Sequence, residues 1–188
     1  MATFIKRHPL LAYYVLTFAL SWGGFLLMVG PGSLANTNWQ AEAKFLSAIM
    51  VMLAGPSIAG LLLTGLVDGR AGYRDLFLRL RTWRVGIRWY VIAILPAPLV
   101  SGGILFMLSM TSPLLIPDNK PAVLLGGLGA AATTILEEIG WTGFAVPRLR
   151  RRYSVAMTGL IVGLLWGMWP FLQQVFVRGT YPGRSPLP

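Results

Sequence analysis

Glu137 and Glu138 are adjacent carboxylates in a stretch, 122–146, that carries no other charge. An acidic side chain at the centre of a membrane helix costs roughly 2.5–3.5 kcal/mol on insertion scales, and two together cost more. Packing alone rarely requires that, so the pair reads as a functional site in the bilayer. Two neighbouring carboxylates in a low-dielectric surrounding repel when both are ionised. A carboxyl group that exchanges a proton there is suited to take it from water and deliver it to a leaving group. The pair could instead relay protons, or coordinate a cation if histidine or further oxygen ligands join it. On a helix Glu137 faces the same side as Trp141, and Glu138 lies above Thr142.

Such a pair needs helices around it, and the composition supplies them. The chain has 188 residues, of which 55% are hydrophobic and 12% charged. A mean hydropathy of +0.66 is far above that of an ordinary soluble domain, in which about a quarter of residues are charged. Stretches 10–30, 45–67, 89–111 and 155–177 contain no charge and reach the roughly 20 residues needed to span a bilayer. With 122–146 they make five candidate spans. The expected fold is all-α: a polytopic transmembrane helical bundle forming a single membrane domain over 1–188. Gly55-Pro56 predicts a kink in the second span, and Pro96 and Pro98 a bend in the third. Gly159, Gly163 and Gly167 recur every four residues along the fifth span, a stripe expected to support close packing inside the bundle.

The formal net charge is +10, which raises the question of nucleic acid, but the distribution points to a lipid bilayer. Lys6 and Arg7 precede the first span. Arg70, Arg74, Arg79, Arg81, Arg84 and Arg88 lie between the second and third, and Arg148, Arg150, Arg151 and Arg152 between the fourth and fifth. The other two connections are poor in cations. This is the positive-inside pattern; it predicts an integral membrane protein with its N-terminus and both Arg-rich loops in the cytoplasm, and needs no nucleic-acid partner. The first apolar run is longer than the 7–15-residue core of a signal peptide, so a retained helix is expected. Within 68–88, Tyr73, Leu76, Phe77, Leu80 and Trp83 recur at helical spacing, which predicts a basic amphipathic helix at the interface. There is no cysteine, which excludes disulfides, thiolate metal sites and a cysteine nucleophile.

The stretch Glu137-Glu138-Ile139-Gly140-Trp141-Thr142-Gly143-Phe144 resembles the first motif of the CPBP family, usually Glu-Glu-x-x-x-Arg. That family of intramembrane metalloproteases includes CAAX prenyl endopeptidases and bacteriocin-processing or immunity (ABI-type) proteins. Leu164-Leu165-Trp166-Gly167-Met168-Trp169 resembles the approach to the second motif, in which an aromatic residue is followed four positions later by histidine. The resemblance implies a membrane metalloendopeptidase in which glutamate activates water, with Glu137 and Glu138 as the catalytic acids or bases. It also implies a divalent metal, zinc, held by histidine and other ligands on later helices. A membrane-associated or prenylated protein or peptide would be the substrate, in a bacterial plasma membrane. The sequence departs from the pattern at two places. Thr142 stands where the motif has arginine, and Pro170 stands four residues after Trp166, where histidine is usual. The only histidine is His8, at the foot of the first span. The chain is therefore expected to be a degenerate, C-terminally shortened form that does not cleave peptides as it stands. The alternatives are a non-catalytic immunity-type or binding protein of the same lineage, or a transporter or proton relay; the latter lacks the internal repeat such proteins often carry.

Overall fold

The structure is a computed structural model that describes residues 2–30, 43–111, 134 and 136–171. Among these residues every regular element is helical and none is a strand, as expected of an all-α membrane protein. In chain order the helices are α1 (Ala2–Arg7), α2 (Pro9–Val29), α3 (Ala43–Arg81), α4 (Ile87–Ile94) and α5 (Pro96–Thr111). A helical segment at 136–140 runs into a π-helix (Trp141–Ala145), followed by α6 (Val146–Leu149) and α7 (Val155–Met168). Among the described residues two helices are long and apolar enough to cross a membrane: α2, and α3 from Leu46 onward. The connections expected at 31–42 and 112–121, the first part of the expected fourth span and the last part of the fifth lie outside the described residues.

The chain divides into two compact units, Met1–Leu76 with Thr133–Pro188, and Phe77–Ala132. In the first unit α2 buries Tyr13, Thr17, Ser21 and Phe25, one residue per turn along one face. The buried residues of α3 include Ala48, Met52, Ala59 and Leu63, and these join Tyr13 and Phe25 in one core cluster. The opposite faces carry Leu11, Val15, Leu27, Leu62 and Leu66 exposed. In water that much apolar surface would be a liability; in lipid it is the solvated face.

Within α3 the residue outside helical dihedrals is Gly69, at φ +61°, and the helix carries on through Pro56. Proline lacks the N–H that would bond the carbonyl four residues back, so Met52 loses its partner. The hydroxyl of Ser21 on α2 donates to that carbonyl at 2.8 Å. A buried hydroxyl thus satisfies the orphaned acceptor, and the helix continues; membrane helices tolerate proline through such replacements. Gly55 makes room, because a Cβ there would fall on the Ser21 hydroxyl.

Gly69 takes a left-handed conformation that other residues adopt only at a cost, and the chain turns back on itself. The Tyr73 hydroxyl then donates to the Leu61 carbonyl at 2.9 Å, and Leu76 becomes buried. The helix predicted within 68–88 is present up to Arg81, but its apolar residues divide. Leu76 is buried in the first unit, whereas Phe77, Leu80 and Trp83 are exposed. In the second unit the bend expected in the third span is present: α4 ends at Ile94 and α5 begins at Pro96. Leu95 between them keeps helical dihedrals and its N–H bonds to the Val91 carbonyl, so the helical path runs on from one piece to the next.

Candidate functional site

The segment bearing the glutamates lies in backbone contact with α3. A Cβ on Gly140 would fall on the Pro56 carbonyl, and one on Gly60 would stand 2.9 Å from the Gly140 Cα. Small residues at a crossing allow helices to approach this closely. Ser57 adds a hydrogen bond from its hydroxyl to the Leu136 carbonyl. The position of Glu137 is therefore set one residue before and three residues beyond it.

Immediately after the pair the helix widens. The Val146 N–H bonds to the Trp141 carbonyl, five residues back, the pattern of a π-turn. Such turns are uncommon and recur at functional sites. Within it Trp141, Phe144 and Ala145 are all buried, while Thr142 is exposed. The buried rings pack on α2: Tyr13 stacks on Phe144 at 5.2 Å and meets Trp141 edge-on at 5.8 Å. Trp169, just past α7, meets Trp141 edge-on at 6.3 Å, and its carbonyl accepts from the Trp22 indole at 2.9 Å. Arg148 closes the turn. It donates to the Phe144 carbonyl at 3.0 Å, lies 3.6 Å above the Phe144 ring and pairs with Asp68.

Behind these rings Glu137 is 4% exposed. The Trp166 indole N–H on α7 donates to its Oε2 at 3.0 Å. Glu138 is half-buried and lines a groove of about 410 Å³ with Trp141, Thr142, Val162, Gly163 and Trp166. The two carboxylates thus occupy different surroundings: one enclosed and hydrogen-bonded, the other facing a largely apolar groove. Glu138 and Thr142 line the same groove, as the helical spacing predicted; Trp141 lines it as well. Thr142, however, spends its hydroxyl on the Glu138 backbone carbonyl at 2.7 Å.

Along α7, among the described residues nothing lies within 4 Å of where a Cβ would stand on Gly159, Gly163 or Gly167. The first two line the groove, and their lack of side chains leaves room beside Glu138. Trp166 and Tyr13 were not singled out as site partners by their spacing. One signal was available for Trp166: an indole N–H in an apolar span needs an acceptor, and acidic acceptors in the spans are confined to Glu137 and Glu138.

The described residues do not fit a catalytic zinc. Among the described residues no three of His, Cys, Asp and Glu converge. His8 lines a different cavity, and Glu137 already uses one carboxylate oxygen on Trp166. Zinc sites of this kind need three protein ligands with nitrogen or sulfur among them.

Residues 119–183 match the family described as type II CAAX prenyl endopeptidase Rce1-like. A 64-residue stretch is 38% identical to CAAX prenyl protease 2 of Methanococcus maripaludis. That stretch covers 34% of this chain and 22% of the relative, so the chain spans only a small part of the protein it resembles. No solved structure matches the chain. The family match takes in both glutamates, the π-turn and Trp166, the parts from which the site is built.

Proposed function

We propose that this chain is a plasma-membrane relative of the CAAX-type endopeptidases whose N-terminus lies in the cytoplasm. In this reading it retains the carboxylate pair and an apolar groove, and binds a lipid-modified or otherwise apolar peptide segment without cutting it. The observation that carries the reading is the Glu137–Trp166 hydrogen bond beside a groove in which no histidine takes part. A glutamate-activated water needs a partner that polarises the scissile carbonyl, and neither Thr142 nor Pro170 can provide one. The groove's apolar lining is two indoles and three valines, which suit an isoprenoid or aliphatic chain, and Arg150 stands among its polar residues. Glu138 and Thr142 at its wall suit a peptide amide. Peptide-bond hydrolysis remains the activity of the lineage, and the non-catalytic binding role is the one these residues support.

The test compares cleavage of a farnesylated reporter peptide by the purified chain and by Glu137→Gln, each with and without added zinc. Binding of the same peptide is followed by tryptophan fluorescence. Fluorescence quenching without cleavage is the expected result. Zinc-dependent cleavage that Glu137→Gln abolishes would overturn the reading.

A further inference from the structure

A second cavity, of about 460 Å³, lies where the start of α2, the residues before Gly69 and the turn after α6 come together in the first unit. Its cations are Lys6, Arg148, Arg151 and Arg152, with His8 on the same wall. Asp68 also lines it, but that carboxylate pairs with Arg148. Among the described residues no carboxylate pairs with Lys6, Arg151 or Arg152. Three positive charges are thus left around one concavity.

The turn that presents two of them is held in place. The N–H groups of Arg152 and Tyr153 both bond to the Leu149 carbonyl at 2.9 Å. The Arg150 guanidinium closes onto the Tyr153 carbonyl at 2.8 Å, and the Ser154 hydroxyl caps α7 by accepting from the Met157 N–H. The positive-inside rule accounts for cations near a membrane surface. It does not account for cations from two distant chain segments meeting around a cavity. The rest of the wall is apolar, from Leu10, Leu11, Val67 and Ile161, and α2 enters its membrane-spanning stretch directly beside it.

We propose that this cavity binds the phosphate of an anionic phospholipid headgroup. Lys6, Arg151 and Arg152 surround the phosphate, and Leu11, Val67 and Ile161 meet the first methylenes of the acyl chains. Basic pockets between membrane helices take headgroups in this way. The apolar wall distinguishes a lipid from free phosphate, for which it would serve no purpose.

The test uses the full chain in neutral detergent, with native mass spectrometry to count retained phosphatidylglycerol against phosphatidylcholine. The pocket variant Arg151→Gln/Arg152→Gln is compared with Arg84→Gln/Arg88→Gln, which removes the same charge outside the cavity. Each cation near an anionic headgroup contributes roughly fivefold in affinity, so the pocket variant should lose about twenty-five-fold for phosphatidylglycerol. The control should stay within about twofold of the parent on the same scale. Far-UV helix content checks that both variants fold, and Lys6→Gln, in the other chain segment that lines the cavity, should give the single-charge loss if the double variant does not fold. Equal losses in both double variants, or equal retention of the two lipids, would refute the proposal. So would inorganic phosphate binding as tightly as the lipid and displacing it, which would assign the cavity to free phosphate.

Discussion

Replacing Ser21 with alanine should destabilise the fold through an atom on another helix. The Met52 carbonyl faces Pro56, which has no N–H to give it, and the Ser21 hydroxyl is its donor at 2.8 Å. Ser21 and Met52 are both completely buried, so no solvent replaces the lost bond. An unsatisfied buried acceptor costs about 1–3 kcal/mol. Hydrogen bonds between membrane helices measured by double-mutant cycles are smaller, up to about 1.7 kcal/mol, so about 1–2 kcal/mol is expected. The origin of the effect can be isolated by a cycle with Pro56→Ala. Alanine restores an N–H four residues after Met52, and the helix then satisfies the carbonyl itself. Ser21→Ala should therefore cost about 1–2 kcal/mol with proline at 56 and close to nothing with alanine there. Reversible unfolding in mixed micelles, followed by tryptophan fluorescence, gives all four stabilities. An equal cost of Ser21→Ala in both backgrounds would refute the assignment, because it would mean that the hydroxyl acts by packing alone.

Three further expectations follow from the site. Gly140→Ala should destabilise by about 1–3 kcal/mol, because overpacking against the rigid Pro56 carbonyl outweighs any gain in helix propensity; Gly163→Ala, whose Cβ meets nothing within 4 Å, should be neutral or stabilising by up to about 1 kcal/mol, and equal melting temperatures would argue against the Gly60–Gly140 crossing. Trp166→Phe keeps an aromatic ring, though a smaller one, and removes the donor to Glu137; the unpaired carboxylate should cost about 1–3 kcal/mol, most of which Glu137→Leu in the same background should recover, as measured by the same unfolding assay. For the proposed orientation, cysteines introduced at Asn36 and Asn119 should react with an impermeant reagent on intact cells while one at Arg81 does not; the reverse pattern would overturn the reading of the arginine asymmetry.

Much of this protein was legible in its sequence because it follows from terms that are local or additive. Burial of charge in lipid costs enough that uncharged runs mark candidate spans, and α2 begins and ends within a residue of the run at 10–30. The same cost singled out Glu137 and Glu138, since a carboxylate does not persist in such a run without a use. Helical periodicity put Glu138 with Thr142, and both line the groove. Other features depended on atoms far apart in the chain, and only the tertiary structure decided them. At Pro56 the sequence shows the missing N–H but not Ser21, 35 positions earlier, whose hydroxyl answers the freed carbonyl. Glycine spacing on α7 shows where a backbone could approach, but not that Gly159 and Gly163 line a groove beside Glu138. Gly60 and Gly140 carry a close crossing without a repeat to announce it. The π-turn after the pair was likewise invisible, since one additional residue per turn is selected by what packs around it. By enclosing Trp141, Phe144 and Ala145 together it leaves Glu137 covered and Glu138 facing the groove, a division that two identical neighbouring side chains cannot express in sequence.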